Sequence, residues 1–129
     1  MAKTVTSKSI LILEDSSDQL MIYQKFLEKE NLQVFSCGEG KDIPIFLNNI
    51  RYDLIIADFY LDGIEFAELM EMKQQSINKN SPLVLISGVD QDLVAPYSGK
   101  ILRHFQKPVQ KKDLVEFIHE LTASGQSKT

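Results

Sequence analysis

Residues 53–63 read DLIIADFYLDG, and their reading decides the fold. Four apolar residues run from Leu54 to Ala57, and the run stops on a carboxylate, Asp58, with Phe59, Tyr60 and Leu61 behind it. A run this short, apolar along its whole length, fits a strand buried on both faces. A charge at the end of such a strand is costly unless something pairs with it or uses it, so partners for Asp58 are expected elsewhere in the chain.

Outward from that strand the pattern repeats. Residues 9–13 form a short apolar run followed by Glu14, Asp15, Ser16 and Ser17, after which Leu20, Tyr23 and Leu27 share one helical face. Residues 33–36 read as a second strand, and Asp42 can cap a helix that carries Pro44 in its first turn. Phe66, Leu69, Met70, Lys73 and Ile77 mark the helix after the third strand, with Lys73 breaking the apolar stripe. Pro82 opens a fourth strand, LVLIS, and residues 101–105 a fifth; Leu114, Phe117, Ile118 and Leu121 then outline an amphipathic last helix with Asp113 near its start. Apolar strands alternating with helices predict a doubly wound, five-stranded parallel sheet with helices on both faces, an α/β fold of the flavodoxin-like kind. The domain is expected over residues 9–122, with flexible tails at 1–8 and 123–129.

The bulk numbers fit one domain. The 129 residues are 43% hydrophobic and 25% charged, ordinary globular values that argue against a disordered chain. A net charge of -4 with scattered lysines, only Lys111 and Lys112 being adjacent in a basic pair, disfavours direct nucleic-acid binding. Cys37 is the single cysteine, which excludes an internal disulfide and a CxxC site and fits a reducing compartment. Residues 1–9 are polar and the apolar runs are short, so neither a membrane span nor a signal peptide is expected, and the chain reads as cytoplasmic.

In open α/β sheets ligands bind beyond the carboxyl ends of the strands, near the point where strand order reverses. The first strand is followed by Glu14 and Asp15, the third by Asp58, the fourth by Ser87 and Gly88, the fifth by Lys107 and Pro108. Two carboxylates about 4 Å apart repel by roughly 4 kcal/mol at an effective dielectric near 20. One lysine cannot neutralise three carboxylates, so a divalent cation is implied. Oxygen ligands without nearby His or Cys suit Mg²⁺ rather than zinc. Such a metal beside an aspartate, a lysine and a small hydroxyl can neutralise a phosphoryl group in transfer, with Asp58 as nucleophile.

These motifs, ILILEDSSDQL, DLIIADFYL, LVLISG and FQKPV, resemble the receiver domains of two-component response regulators over essentially the whole chain. Separations of 43, 29 and 20 residues from Asp15 to Asp58, Ser87 and Lys107 make the likeness far more specific than any single residue. The resemblance implies that Asp58 accepts a phosphoryl group from a sensor histidine kinase or a phosphotransfer protein, with Glu14, Asp15, Asp58 and the Phe59 carbonyl around Mg²⁺. It implies that Ser87 and Lys107 bind phosphoryl oxygens, that His104 stands where a switching aromatic is usual, and that Pro108 follows a cis peptide bond. Tyr60 and Val89 fall at the positions that flank the phosphate.

The chain departs from the family pattern in its loops. After Asp58 a proline is usual four residues on and a glycine near eight, whereas Asp62 and Gly63 come early and leave the loop about three residues short. Pro96 and Gly99 predict a stunted fourth helix, about residues 91–95, and with it an unusual output surface. Other readings fit less well. GEGK, residues 38–41, has Phe35 where a phosphate-binding loop needs its first glycine and Asp42 where it needs Ser or Thr. A haloacid-dehalogenase phosphatase wants an acid where Tyr60 stands. A flavin-binding domain rests on fold alone and leaves the converging carboxylates unexplained. The expectation is a phosphoacceptor switch for an unknown downstream protein, or a phosphorelay intermediate, that catalyses only its own phosphorylation and dephosphorylation. The alternative is a phosphorylation-independent interaction module.

Overall fold

Four-to-six-residue runs without a polar face can be buried only if both faces of the sheet are covered, and they are. The computed structural model describes residues 8–127, with side chains through Leu121. Strands β1 (Lys8–Leu13), β2 (Leu32–Cys37), β3 (Leu54–Ala57), β4 (Leu83–Ser87) and β5 (Arg103–Gln106) pair in parallel in the order β2-β1-β3-β4-β5. The helices are α1 (Ser17–Leu27), α2 (Ile43–Leu47), α3 (Phe66–Gln74), α4 (Gln91–Val94) and α5 (Lys111–Ser127).

Alternation along each strand divides the core in two. Leu11, Leu13, Ile55, Ala57, Leu83 and Leu85 face Ile43, Leu47, Phe66, Leu69 and Val94 on one side. Ile10, Ile12, Leu54, Ile56, Val84 and Ile86 face Tyr23, Leu27, Leu114, Phe117 and Ile118 on the other. Strand order reverses between β1 and β3, whose carboxyl ends carry Glu14, Asp15 and Asp58.

Several boundaries move. Lys8, expected in the tail, opens β1, and its predecessors lie outside the described residues. The backbone of α5 stays helical to Ser127 where a tail was expected from residue 123. Asp42 stands before α2 but makes no side-chain cap bond, because a 3-10 turn over Gly40–Asp42 already leads into the helix. Ile77 is exposed beyond the end of α3, which stops at Gln74, and β5 starts at Arg103 rather than 101. The fourth helix is a single turn, Gln91–Val94, followed by a 3-10 turn over Ala95–Tyr97 in which Pro96 withholds the N–H that would continue the helix.

Candidate phosphoacceptor site

Four of the five strands, β1, β3, β4 and β5, deliver the parts of the site. Ser16 caps α1 through its Oγ, which accepts the Gln19 N–H at 3.3 Å, so Glu14 and Asp15 are free of capping duty. Glu14 is 2% exposed; its Oε2 accepts the Ser16 N–H at 3.2 Å, and its Oε1 lies 3.6 Å from Lys107 Nζ. Burial pushes the Glu14 carboxyl above the ordinary range, and the charges of Asp58 and Asp15 push the same way, against the Ser16 N–H and the Lys107 ammonium. Asp58 leaves β3 with its N–H on the Leu13 carbonyl at 3.3 Å, which ties the ends of β3 and β1 together. Its Oδ1 accepts the Phe59 N–H at 2.7 Å, and its Oδ2 takes the Lys107 ammonium at 3.1 Å.

Asp15 is turned differently. It is exposed, and its Oδ2 accepts the Asp62 N–H at 2.6 Å. The Asp62 N–H lies in a tight turn from Leu61 to Ile64, closed by the Ile64 N–H on the Leu61 carbonyl at 3.1 Å, with Gly63 at φ +81°. That is the third place of a type II turn, where glycine is favoured. The GEGK stretch packs against this turn, and a Cβ on Gly40 would sit 3.2 Å from the Asp62 carbonyl oxygen. Early Asp62 and Gly63 thus shape the rim of the site.

At the end of β4, Ser87 is 1% exposed and its Oγ accepts the Val89 N–H at 3.2 Å, leaving the hydroxyl proton to donate elsewhere. Val89, expected to flank the phosphate, has its side chain buried in the core, and its N–H is the group that meets Ser87. His104 Nε2 lies 3.4 Å from the Ser87 carbonyl oxygen, and its buried Nδ1 has no partner. The Lys107–Pro108 bond is cis. Tyr60 is 64% exposed and meets Phe59 edge-on at 5.1 Å; Phe59 stacks on Phe66, which meets Tyr97 edge-on.

Sequence reasoning missed Gln106, whose Nε2 donates to the Val89 carbonyl at 3.0 Å and holds the loop after Ser87 to the end of β5. A glutamine beside a lysine at a strand end gives no sign of that. It also missed Asp53, whose Oδ2 accepts the Ser9 N–H at 2.8 Å and pins the start of β1.

The polar groups fit Mg²⁺ by their chemistry: three carboxylates and one lysine, with oxygen as the available ligand. Among the described residues no three His, Cys, Asp or Glu side chains are grouped so that they could hold a metal ion, and Asp15, expected beside Glu14 and Asp58, has its Oδ2 on the Asp62 N–H instead. No described helix is long and apolar enough to cross a membrane.

The pattern of the family described as response regulator receiver domain matches residues 10–119. The transcription factor SKN7 of Saccharomyces cerevisiae is 24% identical over 107 residues, and hybrid signal transduction histidine kinase K of Dictyostelium discoideum 27% over 115, each alignment covering 81% of this chain. The chain spans only 17% and 10% of those two proteins. Among solved structures, a CheY-like receiver domain from Methanospirillum hungatei aligns with TM-score 0.82 at 22% identity, covering 96% of this chain and 100% of that one. The receiver domain of a Pseudomonas aeruginosa sensor histidine kinase, with magnesium coordinated in its active-site cleft, aligns with TM-score 0.79 at 15% identity over 90% and 98%.

Proposed function

The chain belongs to the response regulator receiver domain family, a phosphoacceptor switch of two-component signalling, and from that premise we propose that Asp58 is its phosphoacceptor. The observation that carries the assignment is Lys107: its ammonium, from the end of β5, meets Asp58 at 3.1 Å and Glu14 at 3.6 Å, so three strand ends converge on one anionic pocket. Asp58 attacks the phosphorus of a phosphohistidine on a sensor kinase or phosphotransfer protein; a P–O bond forms as the P–N bond breaks, and the imidazole leaves. Lys107 then shifts from the carboxylate to a phosphoryl oxygen, and the Ser87 hydroxyl donates to another. Glu14, Asp15, Asp58 and the Phe59 carbonyl are the groups that would hold Mg²⁺, which when bound would supply neutralising charge for the phosphoryl oxygens.

The added charge draws Ser87 and its loop inward, and His104 and Tyr60 read or shield the new group. The chain works in the cytoplasm, performs no chemistry beyond its own phosphorylation and dephosphorylation, and hands its state to a protein partner or relays the phosphoryl group. Incubation with Mg²⁺ and acetyl phosphate tests the reading by intact mass. Wild type gains one phosphoryl group and Asp58→Ala gains none; no gain in wild type, together with no spectral response to beryllium fluoride, refutes it. Tyr60→Ala shortens the life of the acyl phosphate if the ring excludes water, and an unchanged rate removes Tyr60 from the site.

A further inference from the structure

Lysine at a core-facing helical position is costly unless its head reaches water or an anion. Lys73 occupies such a position on α3, is half-buried, and has its Nζ on the Lys79 carbonyl at 3.2 Å. Burial pushes its pKa below the ordinary lysine value. Beside it lies a hollow of about 490 Å³ at the amino ends of β4 and β5, the far end of the sheet from Asp58. Lys73, Lys79 and Lys100 all line it, Asn80, Ser81 and Ser98 add neutral polar groups, and no Asp or Glu contributes. Among the described residues none of these lysines is within ion-pair distance of a carboxylate. In a chain of net charge -4, three cations gathered without a counter-charge run against the overall balance.

We infer that this hollow binds a small phosphorylated molecule. Its volume lies within the range of roughly 300–1,000 Å³ typical of small-ligand sites. The lysines converge on one concavity instead of spreading into the stripe that a nucleic acid needs. Lysine heads on flexible stems act as point charges for phosphate oxygens, and buried Met70 and Leu83 supply an apolar floor. The site is separate from the phosphoacceptor pocket and stands whether or not Asp58 is phosphorylated.

The test is a titration of the ¹⁵N-labelled full chain with inorganic pyrophosphate in magnesium-free buffer, followed by amide shifts. Saturable shifts confined to residues 73–83 and 98–102, half-complete below about 1 mM, support the site. Lys73→Met keeps the apolar stem, and Lys100→Gln changes only an exposed residue, so a fold confirmed by circular dichroism separates lost binding from unfolding. Each substitution weakens pyrophosphate at least about fivefold, the loss of one charge-assisted contact. Absence of saturation, shifts centred on Asp58, binding unchanged in both variants, or tighter binding of poly-glutamate at the same residues overturns the inference.

Discussion

Lys107 and Asp58 face each other at 3.1 Å although 49 residues separate them in the chain. Glu14 Oε1 lies 3.6 Å from the same ammonium, so the lysine bridges two carboxylates that would otherwise repel. In magnesium-free buffer Lys107→Met leaves both charges facing each other and lowers stability by about 1–2 kcal/mol, the partial exposure of the lysine reducing the cost expected of a fully buried pair. Asp58→Asn on that background restores part of the loss. Urea unfolding of the two single variants and the double variant checks the coupling, and simple additivity would show that the contact carries no energy.

The loop after Ser87 depends on Gln106. Gln106→Leu keeps the bulk and removes the donor to Val89, at a cost of about 1 kcal/mol. Amide hydrogen exchange at residues 88–90 then quickens about fivefold through local opening, while β1 and β3 stay protected. Equal exchange in both proteins would mean that the hydrogen bond does not hold the loop.

Asn78 joins three segments: its Oδ1 accepts the Tyr52 N–H and the Ser81 hydroxyl, and its amide donates to the Leu47 and Ile50 carbonyls. The residue is fully buried. Asn78→Ala strands those groups away from water and costs about 3 kcal/mol or more, read as a lower urea midpoint with an unchanged slope.

Tyr23 lies beneath the site with its hydroxyl on Gln19 Oε1 at 3.1 Å. Burial, then the charges of Glu14 and Asp58, raise its pKa above the ordinary tyrosine value. The unfolded tyrosine therefore ionises first, near pH 10. Its contribution to stability is complete below that pH and is lost as pH rises through and beyond it. Unfolding free energies measured from pH 8 to 11 fall more steeply for wild type than for Tyr23→Phe, and parallel curves would refute the shift.

The sheet was legible because apolar runs bounded by Asp, Ser and Pro leave few other readings, and Leu54–Ala57 lies where the run ends on Asp58. The pairing of Asp58 with Lys107 was legible through topology: parallel strands bring their carboxyl ends to one rim. Helix ends were less so, since Ile77 keeps the apolar rhythm of α3 although the helix stops at Gln74. Asn78 and Gln106 were invisible because amide side chains read as ordinary surface polarity until the backbone they meet is placed. The orientation of Asp15 was hidden too, for it depends on which N–H the turn after Asp58 presents.

That turn has a consequence for how the protein can vary. Gly63 touches none of the reacting groups, yet its left-handed backbone aims the Asp62 amide at Asp15. A side chain there meets no atom within 4 Å, so only torsional preference opposes it. The direction in which the Asp15 carboxylate points can therefore drift through a position five residues past Asp58 while every acidic side chain of the rim stays the same.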